Sequence, residues 1–180
     1  MNRRNSPASK VAFAGLLLAM TLLFSWLEGL IPPLPGLSGV RLGLANVVVM
    51  YAFFSVGKGT ALLLVLLKAG FAVLTRNPIA AALSLTGGLI SLLVIFLLWT
   101  LSRGRMSYLL ISVFGAIAHN MGQLAMASLL MKTNLVFYTL PVLLVAGVVM
   151  GAVTGLLLRV VLPLFDRVRG EIKTGDPDKL

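Results

Sequence analysis

The segment that decides the fold is residues 27–53, LEGLIPPLPGLSGVRLGLANVVVMYAF. It joins two apolar runs through the connector IPPLPGLSG at residues 31–39, which has three prolines and two glycines. Proline removes a backbone donor and clashes with the preceding turn, so a helix cannot continue through this connector. The sequence therefore predicts a short second helix over residues 41–56, preceded by an apolar loop that acts as a lid or as a rigid turn.

The composition indicates an integral membrane protein. Of the 180 residues, 59% are hydrophobic and 11% are charged, whereas about a quarter of a soluble domain is charged. A spanning helix needs about 20 apolar residues, and the apolar runs predict six: 10–30, 41–56, 60–75, 79–101, 107–131 and 136–162. We therefore predict an all-α, polytopic membrane helical bundle, with a tail at 1–9, a six-helix transmembrane domain at 10–165 and a charged tail at 166–180.

The basic residues predict the orientation of this bundle. With six spans and the N-terminus inside, eleven of the fifteen Lys and Arg residues lie in cytoplasmic segments. Arg41, Arg76 and Lys132 would lie outside, and Lys68 would lie within a span. Because positive residues favour the cytoplasmic side, both termini are expected there. Topology and anionic lipids thus explain the net charge of +10 better than nucleic acid does.

Polar residues inside the spans predict a site. Ionisable groups at membrane depth are costly and usually functional, and Glu28 is the only acid before Asp166; we expect it to pair with Arg41. On the fifth span, His119 and Gln123 share a face with Asn120 beside them. The predicted substrate-binding residues are Glu28, Arg41, Asn46, Lys68, His119, Asn120 and Gln123. They would line a cavity that opens outward, although a polar network that only fixes helix packing is the alternative.

Small residues mark two helix faces. Ala12, Gly15 and Ala19 share one face of the first span, where they either pack within the chain or dock a partner subunit. Gly147, Gly151 and Gly155 form a doubled GxxxG ridge on the sixth span, which predicts close packing against another helix.

The sequence lacks the residues that several kinds of chemistry require. The chain has no cysteine, one histidine and five acids, which disfavours a metal site. It has neither the phosphate-binding loop of an ATPase nor the paired aspartates that hold Mg²⁺ against a diphosphate. We therefore predict that it is not an enzyme and has no catalytic residues, metal or cofactor; active transport would require an ATPase partner or an ion gradient.

Two segments carry a resemblance to a known family. They are LEGLIPPLPG at 27–36 followed by VRLGLANVV at 40–48, and GAIAHNMGQL at 115–124. Together with the spans from about 10 to 165, they resemble the Gx transporter family, also labelled heptaprenyl diphosphate synthase component I. That family is similar to the S components of energy-coupling factor (ECF) transporters.

The resemblance implies a partner complex and a location. It implies a six-helix bundle in the bacterial cytoplasmic membrane, with an outward-facing site under the first loop. The small residues Ala12, Gly15 and Ala19 would dock a transmembrane T subunit that is coupled to two ATPases. By analogy alone, the solute would be similar to a vitamin or a quinone precursor.

Three functions remain open at this point. The leading hypothesis is a substrate-binding membrane subunit of an ATP-driven importer, with Arg41 and Lys68 facing an anionic or carbonyl group of the solute. The alternative is a scaffold or accessory component of isoprenoid or quinone biosynthesis. A third possibility is a proton-coupled carrier that uses Glu28 and His119.

Overall fold

The structure, a computed structural model, describes residues 7–30, 43–132 and 135–174, with side chains at 8–30, 43–132 and 140–167. Within these ranges the chain forms six helices: α1 (Pro7–Leu30), α2 (Leu44–Tyr51, extended by a π-helical segment Ala52–Val56), α3 (Lys58–Thr75), α4 (Pro78–Leu101), α5 (Tyr108–Met131) and α6 (Leu135–Thr174). All of these except α2 are long and apolar enough to cross a membrane. The predicted all-α membrane protein with six helices is therefore confirmed, while the connector 31–39 and Arg41 lie outside the described residues.

The second helix is short, as the sequence predicts. It has eight α-helical and five π-helical residues, which correspond to a length of about 20 Å, against a hydrocarbon thickness of about 30 Å. Set within a bilayer, α2 would therefore have one end at membrane depth. Backbone ends are tolerated there only where protein or a water-filled cavity surrounds them.

Glycine is required where α2 begins. Gly43 has a φ of +75°, in the left-handed region that other residues rarely adopt. A Cβ atom at this position would also lie 3.3 Å from Thr154 Oγ1 on α6. Gly43 thus lets the chain turn into α2 while it stays close to α6.

The glycine ridge of α6 packs against α5, which confirms the predicted close helix packing. A Cβ atom on Gly151 would lie 2.5 Å from Val113 Cα, and one on Gly155 would lie 2.9 Å from Leu109 Cα. The two backbones are therefore too close to admit a side chain between them. α6 continues without interruption through Pro141 and Pro163 to Thr174, so much of the predicted C-terminal tail is helical.

Both ends of the described chain lie at the same end of the bundle. The ring of Tyr51, at the end of α2, lies 6.2 Å from that of Phe13 on α1 and 4.8 Å from that of Phe165 on α6. Its hydroxyl donates a hydrogen bond to Asp166 Oδ1 at 2.8 Å. We call this the basic end, because the connectivity of the helices places most of the described cations here: Lys10, Lys58, Arg103, Arg105, Arg159 and Arg167.

The small-residue face of α1 is exposed. Ala12, Gly15 and Ala19 are all accessible, and a Cβ atom on Gly15 would have no neighbour within 4 Å. Of the two uses that the sequence allowed, packing within the chain is therefore not observed among the described residues.

Candidate ligand-binding cavity

A polar cavity lies between the six helices. Each helix contributes polar side chains to it: Glu28 from α1, Asn46 from α2, Lys68 from α3, Ser84 and Ser91 from α4, His119, Asn120 and Gln123 from α5, and Thr154 from α6. Six of the seven residues predicted to bind substrate thus share one hollow. The seventh, Arg41, lies outside the described residues.

The enclosed part of the cavity is small. Its volume is about 40 Å³. A water molecule needs roughly 10–15 Å³, so this part holds a few waters. A larger solute would have to occupy the mouth or displace side chains.

Lys68 places a positive charge at the cavity. It lies in the middle of α3 with only 7% of its surface exposed, and its Nζ donates a hydrogen bond to Asn46 Oδ1 at 2.9 Å. An ammonium group has donors only, so this contact fixes the Asn46 amide with its oxygen toward Lys68. As predicted, the lysine faces the interior of the bundle rather than lipid.

Glu28 contacts the start of α2. Its Oε1 accepts a hydrogen bond from the backbone N–H of Ala45 at 3.3 Å, and 8% of its surface is exposed. The first N–H groups of a helix lack partners within the helix, and the helix dipole favours a negative charge there. No side chain caps α2 at its N-cap residue Gly43, so Glu28 provides this acceptor from another helix.

Removing the Glu28 carboxylate is therefore expected to destabilise the bundle. We expect Glu28→Ala to lower the free energy of unfolding by about 1–2 kcal/mol, as the loss of other helix caps does. Glu28→Gln keeps an acceptor oxygen and should recover part of this loss. Thermal unfolding in detergent measures the effect; a Glu28→Ala protein as stable as wild type would show that the carboxylate does not act as a cap.

Arg76 holds the end of α1 near this site. Its Nη2 donates a short hydrogen bond to the carbonyl oxygen of Ser25, and a Cβ atom on Gly29 would lie 2.8 Å from the same nitrogen. A positive charge is favourable beside the carbonyls at a helix C-terminus. The contact joins the end of α3 to the turn of α1 that carries Glu28.

One of the predicted binding groups on α5 also holds helices together. Asn120 Nδ2 donates a hydrogen bond to the carbonyl oxygen of Leu143 on α6 at 3.1 Å. The amide therefore has a packing role, which the sequence left open as the alternative. His119 is 9% exposed and lines the cavity with Gln123.

Two glycines that the sequence analysis did not assign to the site bring α4 and α5 together. A Cβ atom on Gly87 would lie 2.7 Å from Gln123 Cγ and 2.9 Å from the carbonyl oxygen of His119. One on Gly122 would lie 3.1 Å from Gly87 Cα. These glycines determine how closely His119 and Gln123 approach α4. Small residues on two helices that face each other are the sequence signal that could have identified the glycines.

Three hydroxyl groups also line the cavity but are absent from the predicted set. Ser84 and Thr154 are 3% and 5% exposed, and Ser91 Oγ donates a hydrogen bond to the carbonyl oxygen of Gly115 at 2.8 Å. Thr154 adjoins Gly155 of the α6 ridge. The position of Thr154 on the packed side of α6 is the sequence signal that could have added it to the predicted binding residues.

One of three comparisons with known proteins gives a match. The chain has no significant match among curated proteins. No solved structure matches it either. A family model described as heptaprenyl diphosphate synthase component I matches residues 17–161. This match covers most of the chain and includes every described residue of the cavity, so the protein belongs to the heptaprenyl diphosphate synthase component I family.

Proposed function

We propose that the protein is a substrate-binding integral membrane subunit of an ATP-driven small-molecule importer. The observation that carries this proposal is the cavity, where polar groups from all six apolar helices meet. Several of these groups bond to protein partners, and the space between them is open to water or a ligand. A network needed only for packing would not require a hollow.

The cavity residues favour a solute with an anionic or carbonyl group. Lys68 supplies the positive charge, while the Glu28 carboxylate is directed at the backbone of α2. His119, Asn120 and Gln123 add hydrogen-bonding groups, and Arg41, two residues before Gly43 in the sequence, would complete the site. The solute would be small, similar to a vitamin or a quinone precursor by analogy.

Uptake would be driven by partner subunits. The sequence has no phosphate-binding loop of the GxxxxGK[ST] type, so ATP would be hydrolysed by two ATPases coupled through a transmembrane T subunit. We place both termini in the cytoplasm of a bacterial cell, with the cavity facing outward. The exposed face formed by Ala12, Gly15 and Ala19 would dock the T subunit.

The experiment that tests this function is identification of the bound solute. Protein purified from its native membrane should release a polar small molecule on denaturation, at close to one molecule per chain by mass spectrometry. Preparations that retain none, both in detergent and in nanodiscs, would contradict the proposal.

The docking face gives a separate expectation. Gly15→Leu should reduce the recovery of ATPase subunits from solubilised native membranes at least about fivefold, since a bulky side chain prevents close approach of another helix. Gly70→Leu on α3 is the matched control, because Gly70 is also exposed and also has nothing within 4 Å of a Cβ atom. Equal recovery from both variants would remove this face as the docking site.

The family description favours a second candidate function. A heptaprenyl diphosphate synthase component I could be a non-catalytic membrane scaffold for an enzyme of isoprenoid or quinone biosynthesis. The same pull-down distinguishes the two functions: recovery of a soluble prenyl diphosphate synthase without ATPases would support the scaffold and contradict the importer.

A further inference from the structure

A second cavity lies on the outside of the bundle, near the basic end. It is a groove of about 390 Å³ between the π-helical segment, α3 and α4. Its lining residues are apolar except for one lysine: Phe53, Lys58, Gly59, Leu62, Leu89, Leu92, Leu93 and Phe96. Leu62 and Leu93 are 41% and 55% exposed, so the groove opens toward the surrounding hydrocarbon.

One end of the groove carries a positive charge. Lys58 is the first residue of α3 and is exposed, and its Nζ lies 4.1 Å from the centroid of the Phe96 ring. This cation–π contact holds the ammonium group at the groove. Arg103 and Arg105, in the turn between α4 and α5, lie exposed at the same end of the bundle. No acidic residue is among the described residues that line the groove.

We propose that this groove binds one anionic phospholipid, with an acyl chain along the leucines and the phosphate at Lys58. The apolar lining matches a hydrocarbon chain, and the cation at its end matches a negatively charged headgroup. A basic residue near the membrane surface contributes about 1 kcal/mol to the free energy of binding an anionic lipid. This corresponds to a preference of about fivefold over a zwitterionic lipid.

Counting lipids retained by the protein tests this site. The wild-type chain is placed in nanodiscs of equal parts phosphatidylglycerol and phosphatidylcholine, delipidated with detergent, and analysed by native mass spectrometry. We expect one phosphatidylglycerol to remain bound, with about a fivefold preference over phosphatidylcholine.

Two variants distinguish binding of the acyl chain from recognition of the headgroup. Gly59→Leu fills the groove, and it should preserve the fold because a Cβ atom there meets nothing within 4 Å and leucine is a better helix former than glycine. It should release the lipid, whereas Gly70→Leu, outside the groove on the same helix, should not. Lys58→Gln should retain a lipid but lose the preference for phosphatidylglycerol, whereas Lys132→Gln at the opposite end should keep it.

Other outcomes would overturn the proposal. If Gly59→Leu retains as much lipid as Gly70→Leu, the groove is not the site. If Lys58→Gln keeps the preference, the lysine does not select the headgroup. If farnesyl diphosphate binds where phosphatidylglycerol does not, the occupant is a prenyl diphosphate and the phospholipid assignment is wrong.

Discussion

Gly151→Ala is expected to lower the free energy of unfolding by about 3 kcal/mol, at the upper end of the usual cost of overpacking a well-packed interior. A methyl group at this position would lie 2.5 Å from Val113 Cα and 3.0 Å from the carbonyl oxygen of Ser112. Both atoms belong to the α5 backbone, so no side-chain rotation can relieve the clash. The two helices would have to move apart, and the hydrogen bond from Asn120 to Leu143 would weaken with them.

Unfolding in a graded series of denaturing detergent measures this effect. Gly70→Ala is the matched control, because the same change on α3 meets nothing within 4 Å. The control should be neutral or slightly stabilising, since alanine favours a helix more than glycine does. If the two variants unfold alike, the close contact between α5 and α6 does not contribute to stability.

Lys68→Met is expected to reduce the solute that co-purifies with the chain by at least about tenfold. Methionine is one atom shorter than lysine and keeps an unbranched apolar side chain, but it lacks the charge that faces the cavity. A hydrogen bond to a charged group contributes about 1.5–3 kcal/mol, and 1.4 kcal/mol corresponds to a tenfold change in affinity. The solute released from equal amounts of both proteins, quantified by mass spectrometry, gives the ratio.

A control and a paired variant make this result specific. Lys132→Met removes an exposed lysine that does not line the cavity and should leave the bound solute unchanged. Asn46→Leu removes the hydrogen-bond partner of Lys68, so its effect should not add fully to that of Lys68→Met. Retention of the solute by a folded Lys68→Met protein would show that Lys68 does not contact it.

Hydropathy was enough to predict the helices and which polar residues meet in the cavity. Long apolar runs have few alternatives to a helix in a membrane, so the predicted bounds of α3, α4 and α5 differ from the observed ones by at most two residues. Six of the residues predicted to bind substrate meet in one cavity, because a bilayer disfavours each of them on the outside. The free-energy cost of exposing a polar side chain to lipid depends on the residue type and not on the details of packing.

Individual partners could not be predicted in this way. Glu28 was expected to pair with Arg41, but its described partner is the backbone N–H of Ala45. Similarly, Asn120 donates to the backbone of Leu143. Main-chain groups are the same at every position in the sequence, so only the fold shows which of them a side chain reaches.

The small-residue patterns show a related limit. Small residues three or four positions apart occur on α1, where the face is exposed, and on α6, where the face packs against α5. Small residues indicate that another helix can approach closely. They do not indicate whether that helix belongs to the same chain, so both uses had to remain open for α1.

The π-helical segment Ala52–Val56 determines the direction in which Phe54 points. That direction depends on the number of residues in α2. In this turn Gly57 N–H bonds to the carbonyl oxygen of Ala52, five residues back, and Phe54 packs 5.0 Å from Trp99 and 4.9 Å from Tyr108 between ring centroids. Each residue of an α-helix accounts for about 100° of rotation. Deletion of one residue before Phe54 in α2 would therefore turn this side chain away from Trp99 and Tyr108, although all three aromatic residues would still be present.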